Sequence, residues 1–117
     1  MTTHSFDVLI IGSGLAGLTA ALKLAPTHRV AVVTKRGISD GSSNWAQGGI
    51  AAVLAEGDSY ASHVDDTLVA GAGLCDPAAV HELCTLGPAA VRNLIAAGAR
   101  FDHDISGGIA LTREGGH

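Results

Sequence analysis

Three groups of residues in this chain have types and spacings that can do chemistry. The first is Gly12-Ser13-Gly14-Leu15-Ala16-Gly17, with glycines spaced G-x-G-x-x-G. In such a turn the first glycine permits a sharp bend, the second lets backbone approach a pyrophosphate, and the third packs helix on strand. The N–H groups that open the following helix, with its positive dipole end, then face the phosphates. The second group is the polar loop Ser42-Ser43-Asn44-Trp45-Ala46-Gln47-Gly48-Gly49, rich in donors and small residues. It can lie against a pyrophosphate and a flat ring, since Gly48 and Gly49 carry no side chains to block the approach. The third is the cation pair Lys35-Arg36. Taken alone, two cations there suit a nucleotide 2′-phosphate, and a solvated basic turn is the other reading, favoured for Arg36.

A glycine pattern by itself is weak; its flanking elements give it meaning. Asp7-Val8-Leu9-Ile10-Ile11 is a continuous aliphatic run, as a buried parallel strand requires. Leu18, Leu22 and Leu24 give the next segment an apolar face until Pro26 stops it. Arg29-Val30-Ala31-Val32-Val33-Thr34 is a second aliphatic run. The expectation is a βαβ unit with strands at 6–11 and 30–34 around a helix at 15–25. Residues 37–49 have neither helical nor strand period, and a loop of that length in a compact domain is usually functional or disordered.

Further along, Ile50-Ala51-Ala52-Val53-Leu54 reads as a short strand or a buried turn. Asp58 is expected to cap a helix running to about Ala70, with Val64, Leu68 and Val69 inward, ended by Gly71 and Gly73. Asp76-Pro77 is a strong start signal for another helix, expected to stop before Gly87. Pro88 is expected to begin a further helix, with Val91, Leu94 and Ile95 on one face and Gly98 at its end. Phe101 should anchor the chain after it, and Ser106-Gly107-Gly108 should turn between short strands.

Composition narrows the field. The chain has 117 residues, one small domain at most. It is 47% apolar but only 3% aromatic, so any core is aliphatic. Its 16 glycines are spread among aliphatics, which indicates turns and close backbone approaches. A net charge of −4 leaves no electrostatic footprint for nucleic acid, so an anionic ligand must be held by backbone dipoles and a few local cations. There is no signal-peptide pattern, no bilayer-spanning apolar stretch, and no metal-site spacing among the histidines and cysteines. His63, His81 and His103 read as structural or exposed. Cys75 and Cys84 read as reduced and buried, and the protein as cytoplasmic, with neither nucleic acid nor membrane as a partner. A sheet of two or three parallel strands cannot cover both its faces, so the chain is expected to be the N-terminal piece of a longer protein.

Four stretches together resemble the L-aspartate oxidase family within the succinate dehydrogenase–fumarate reductase flavoprotein superfamily. They are G-S-G-L-A-G-L from Gly12, S-S-N-W-A-Q-G-G-I-A-A from Ser42, H-V-D-D-T-L-V-A-G-A-G-L-C-D from His63, and L-T-R-E-G-G-H from Leu111. The resemblance implies an α/β fold with a Rossmann-like FAD-binding βαβ unit, residues 1–117 being the first part of a larger discontinuous FAD-binding domain. A capping domain and a helical C-terminal region would lie elsewhere in the protein. It implies FAD held at Ser13, Gly14, Leu15 and Ala16 in the pyrophosphate turn, with Gly12 and Gly17 shaping it. Lys35 would lie beside the adenosine end, and the stretch from Ser42 through Gln47 and Gly48 to Gly49 would wrap the flavin.

The implied reaction oxidises L-aspartate to iminoaspartate by hydride transfer to FAD, with dioxygen or fumarate as the final acceptor. This would be the first step of quinolinate and NAD biosynthesis, with quinolinate synthase downstream. Glu114 would be the catalytic residue at the substrate amine, where a carboxylate in a water-poor pocket is well partnered by an ammonium ion. Arg113 would orient Glu114 or touch a substrate carboxylate, an ordinary surface arginine being the equal alternative. The nearest rivals, flavoprotein subunits of succinate dehydrogenase and fumarate reductase, carry a histidine shortly before A-Q-G-G that bonds covalently to FAD. Ser42 stands at that place, which implies non-covalent FAD. They also have an aromatic residue where this chain has Glu114.

Overall fold

The computed structural model of the chain describes residues 2–46, 49–113 and 116–117. These fall into two compact units, Met1–Gly48 and Gly49–His117.

The first unit is the expected βαβ arrangement. Strand β1 (Val8–Ile11) pairs in parallel with β2 (Val30–Val33), in the register Val8 with Val30 through Ile11 with Val33. Helix α1 (Leu15–Leu24) forms the crossover and packs on both strands. Backbone bonds continue the ladder at each end, Asp7 N–H to the Arg29 carbonyl at 2.9 Å and Gly12 N–H to the Val33 carbonyl at 2.8 Å. At the lower end Asp7 also accepts from the Arg29 guanidinium at 2.9 Å and from the Arg29 backbone N–H at 2.8 Å. That pairing holds the Asp7 carboxyl below its usual range. The loop expected at 37–49 contains one helical turn, α2 (Ser42–Trp45). Four residues are too few to show a period, so sequence pattern could not reveal it.

The second unit is a helix pair followed by a small turn. Helix α3 (Tyr60–Ala70) is capped by Ser59, whose hydroxyl accepts from the Ser62 N–H at 3.1 Å. Asp58, the expected cap, instead accepts from the Ser59 N–H. Val69, expected inward, is exposed, and the buried residue of α3 is His63. Helix α4 runs unbroken over Pro77–Ala96, capped by Asp76, which accepts from Ala78 N–H at 2.9 Å and Ala79 N–H at 3.3 Å. The expected break at Gly87-Pro88 is absent. An interior proline loses one helix hydrogen bond and costs about 3 kcal/mol or more. Two features offset this. Gly87 has no Cβ for the proline ring to crowd, and Pro88 is fully buried on the face that also carries Val80, Cys84 and Val91.

Residues 50–54 form no ladder; Ala52, Val53 and Leu54 are half-buried irregular chain. Beyond α4, Phe101 is half-buried, and an antiparallel bridge joins His103 to Ile109 around the turn expected at Ser106-Gly107-Gly108. Asp104 holds that turn, accepting from the Ser106 hydroxyl at 2.6 Å and from the Ser106 and Gly108 N–H groups at 2.8 and 3.0 Å. Both cysteines are free; Cys84 is buried as expected, whereas Cys75 is half-buried. Among the described residues no helix is long and apolar enough to cross a membrane.

Candidate functional site

Strand β1 ends at Ile11 and delivers the chain into the glycine turn. Gly12 has φ +107°, a backbone conformation that a side chain would strain. Gly14 is the N-cap of α1 in extended conformation and supplies no capping side chain. A helix start leaves its first N–H groups without intrahelical partners. Here the first in-helix bond is Leu18 N–H to the Gly14 carbonyl at 3.0 Å, so the donors ahead of it are those of Leu15, Ala16 and Gly17. The third glycine is dictated by packing. A Cβ on Gly17 would lie 2.7 Å from the Gly12 carbonyl oxygen and 3.2 Å from Cγ2 of Ile10.

The polar loop comes back to this turn within the same unit. The Leu15 N–H donates to Oγ of Ser43 at 3.2 Å, and a Cβ on Gly14 would sit 3.7 Å from that hydroxyl. A Cβ on Gly41 would sit 3.5 Å from Oγ of the buried Ser13. Ser13 and Ser43, expected from sequence to share one ligand, are thus gathered at the N-terminus of α1. Ser42, Asn44, Trp45 and Ala46 stand exposed beside them, Trp45 with 76% of its surface free. Lys35 and Arg36 lie exposed just past the end of β2, and Gly49 opens the second unit. Gln47, Gly48 and Glu114 lie outside the described residues. The fit to a dinucleotide is good: unpartnered helix-start donors, a backbone free of side chains, and hydroxyls at one rim supply what a pyrophosphate needs.

The second unit contains a site that sequence reasoning passed over. His117 lies between two carboxylates, with Nδ1 at 2.9 Å from Oδ2 of Asp66 and Nε2 at 3.0 Å from Oδ2 of Asp58. Its ring stacks on that of His63, centroids 4.1 Å apart and planes 14° from parallel. His63 is buried, and its Nδ1 has no hydrogen-bond partner. The hydrogen bond to Asp66 raises the His117 pKa, against partial burial, and the bond to Asp58 adds to the rise. Burial lowers the His63 pKa, and the nearby His117 charge lowers it further. Burial pushes Asp58 up, but the Ser59 N–H and His117 together outweigh it and leave it lowered. The available signal was His63, Asp66 and Thr67 at i, i+3 and i+4, a polar stripe on one helix face. Its partner His117 is too distant in sequence for spacing to reveal. The remaining histidines of the helical and turn regions, His81 and His103, are exposed as expected.

A cavity of about 520 Å³ opens beside this cluster, lined by Ile50, Asp58, Ser62, Val91, Arg113 and His117 among others.

A parallel βαβ unit with a phosphate cradle at its helix start defines a nucleotide-binding domain of the Rossmann kind. Residues 7–117 match the family described as FAD binding domain, and the chain belongs to that family, with FAD as its cofactor. Among individual proteins, it is 62% identical over 112 residues to L-aspartate oxidase of Streptomyces coelicolor, covering 95% of this chain and 19% of that protein. It is 56% identical over 115 residues to L-aspartate oxidase 1 of Ralstonia nicotianae, covering 97% and 22%. The chain therefore spans about a fifth of the length of these relatives. Among solved structures, Mycobacterium smegmatis Sdh1 in complex with UQ1 superposes with a TM-score of 0.89 at 35% identity, over all of this chain and 20% of that one. The FrdA chain of Escherichia coli quinol fumarate reductase gives 0.88 at 29% identity, over 97% and 20%.

Proposed function

We propose that the protein carrying this chain oxidises L-aspartate to iminoaspartate, using dissociable FAD, in the cytoplasm. Residues 1–117 would form the first part of its FAD-binding domain. The observation that carries this reading is the identity of 50–62% to L-aspartate oxidases over nearly the whole chain. The glycine turn with Ser43 at its rim supports it.

In this reading the N–H groups of Ala16 and Gly17 hold the pyrophosphate, aided by Ser13. Lys35 pairs with the adenosine end. The stretch Ser42–Gly49 lies along the flavin. FAD held by these residues would supply a two-electron acceptor for the hydride on Cα of aspartate, with dioxygen (giving peroxide) or fumarate (giving succinate) as the final acceptor. The substrate nitrogen gives up a proton as the imine forms, and Glu114 holds the ammonium group or takes that proton. A site built around a carboxylate also rejects succinate, because without an ammonium partner Glu114 would be left unpaired. The product would then pass to quinolinate synthase, in NAD biosynthesis.

The test is aspartate-dependent peroxide formation by the full-length protein. Glu114→Gln is expected to raise KM for aspartate well above that of the parent; equal activity at low aspartate removes Glu114 from the site. The likeness to Sdh1 and FrdA favours one other reading, a succinate- or fumarate-handling flavoprotein subunit. The two readings separate on acid precipitation. With Ser42 before Ala46 and Gln47, FAD is expected to stay in the supernatant, whereas FAD that precipitates with the polypeptide supports the alternative.

A further inference from the structure

The closing segment is fastened to α3 by more than its sequence foretells. Its last residue, His117, presents both ring nitrogens to carboxylates, at 2.9 Å from Asp66 and 3.0 Å from Asp58. A neutral imidazole has one donor and one acceptor, so two carboxylate acceptors require the doubly protonated ring. The ring below it, His63, is buried with an unpartnered Nδ1. Gly116 completes the seat. A Cβ there would lie 3.2 Å from the Ala70 Cβ and 3.5 Å from the Asp66 carbonyl oxygen, so the backbone at Gly116 lies directly against the helix. Arg113 and His117, which flank Glu114, Gly115 and Gly116 in sequence, both line the cavity described above.

We propose that His117 is a positioning residue: an imidazolium clamped between Asp58 and Asp66 that pins the closing segment to α3, and thereby sets the affinity for the amino group of the substrate. This rests on the reading of Glu114 given under the proposed function. Glu114 stands three positions before His117 in sequence, so a segment released at His117 loses an anchor within three residues of that carboxylate. Among the described residues, the carboxylates that meet the ring are Asp66 of α3 and Asp58 of the turn before it, while Glu56 and Arg113 line the same cavity as His117. His63 of α3 lies under the ring, and Cys75, in the turn ahead of α4, lines a second cavity that His117 also lines. Among these described groups only Arg113 is a cation at neutral pH, so carboxylates dominate and favour the charged ring. The raised pKa of His117 agrees with this, its bond to Asp66 being the largest cause. The clamp is therefore complete between 3.8 and 6.5, the ordinary values of Asp58 and His117, and is lost as pH rises through the higher folded value of His117.

The experiment uses the full-length, FAD-loaded protein and reads KM and kcat for aspartate across pH, with KM for fumarate as an amine-free control. His117→Ala is expected to raise KM for aspartate about tenfold at neutral pH, with kcat and fumarate KM little changed, as loss of positioning predicts. Asp66→Asn keeps an oxygen that accepts from Nδ1 but removes the charge. It should move the alkaline rise in aspartate KM to lower pH by about one unit, which a purely structural contact would not do. In a Glu114→Gln background the His117→Ala effect should vanish. If Glu114→Gln raises KM while His117→Ala leaves it within twofold of the parent, the positioning role is overturned and the substrate reading stands. If Glu114→Gln itself has no effect, that reading fails and takes this one with it. Should His117→Ala lose its FAD through misfolding, Asp66→Asn decides alone: an unmoved alkaline limb overturns the proposal.

Discussion

The glycine turn of Met1–Gly48 and the histidine clamp of Gly49–His117 both prepare a polar site, by opposite means. In the turn, the working groups are backbone donors on consecutive residues, and what side chains do there is stay small. In the clamp, the working groups are side chains, joined across 51 positions for Asp66 and 59 for Asp58. The first is rigid because a backbone N–H at a helix start has nowhere else to point. The second is conditional, because its attraction depends on one imidazole keeping its second proton. A cofactor with fixed phosphates suits the first kind of site. A substrate that carries its own ionisable amine suits the second.

The largest effect is expected where rigidity is greatest. Gly17→Ala places a methyl 2.7 Å from the Gly12 carbonyl oxygen, a backbone atom with little room to yield. Overpacking of this kind costs about 1–3 kcal/mol. The displaced turn should also lose most of its FAD, read as the ratio of flavin absorbance to protein after gel filtration. A fully flavinylated Gly17→Ala protein would mean that the turn tolerates movement, and the contrast between the two sites would break.

That turn was legible because everything in it is local: an aliphatic run, three glycines, an amphipathic stretch, and a second run. The resemblance carried by Ser42–Gly49 pointed to the same ligand, and the bond from Leu15 N–H to Ser43 brings that one residue of the stretch to the turn. Helix α4 was misread at Gly87-Pro88, because local rules see the lost hydrogen bond but not the burial of Pro88. The cap at α3 was misplaced by one residue for a related reason. Aspartate and serine cap about equally well, so local rules do not choose between Asp58 and Ser59; Asp58 is engaged by the Ser59 N–H and the distant His117, and Ser59 caps. The clamp itself was invisible, since no spacing rule links residue 117 to residue 63.

The next effect in size tests the conditional site. Compared at a series of pH values, the Tm gap between parent and His117→Ala should be fullest between 3.8 and 6.5, the ordinary values of Asp58 and His117. Above 6.5 the gap should narrow as pH passes through the raised His117 value. Below 3.8 it should narrow as pH falls through the lowered Asp58 value. His63 acts in the opposite sense: its lowered pKa means that protonation below 6.5 costs stability. The parent is therefore expected to lose stability on the acid side of 6.5 through His63 and on the alkaline side through His117. A gap independent of pH would show that the ring stacks without being charged, and the two sites would then be alike in kind.

A smaller and purely structural effect is expected at Asp76, whose carboxylate holds the first N–H groups of α4. Asp76→Ala should cost about 1 kcal/mol, within the usual range for a lost helix cap, read as a lowered Tm. Flavin content should be unchanged, since Asp76 is no part of the cradle.

The smallest effect sharpens the comparison most. Ser43 gives its hydroxyl oxygen to the Leu15 N–H at 3.2 Å, in an exposed position where water competes. The net worth of such a bond is roughly 0.5–1.5 kcal/mol, so Ser43→Ala should weaken FAD binding to the apoprotein by about threefold to tenfold. Ser43→Thr, which keeps the oxygen, should bind FAD like the parent in the same calorimetric titration. A loss beyond about a hundredfold would exceed what one exposed bond can supply. The Ser43 hydroxyl would then contribute far more through the cofactor than through the Leu15 N–H, and the turn would depend on a side chain as the clamp does.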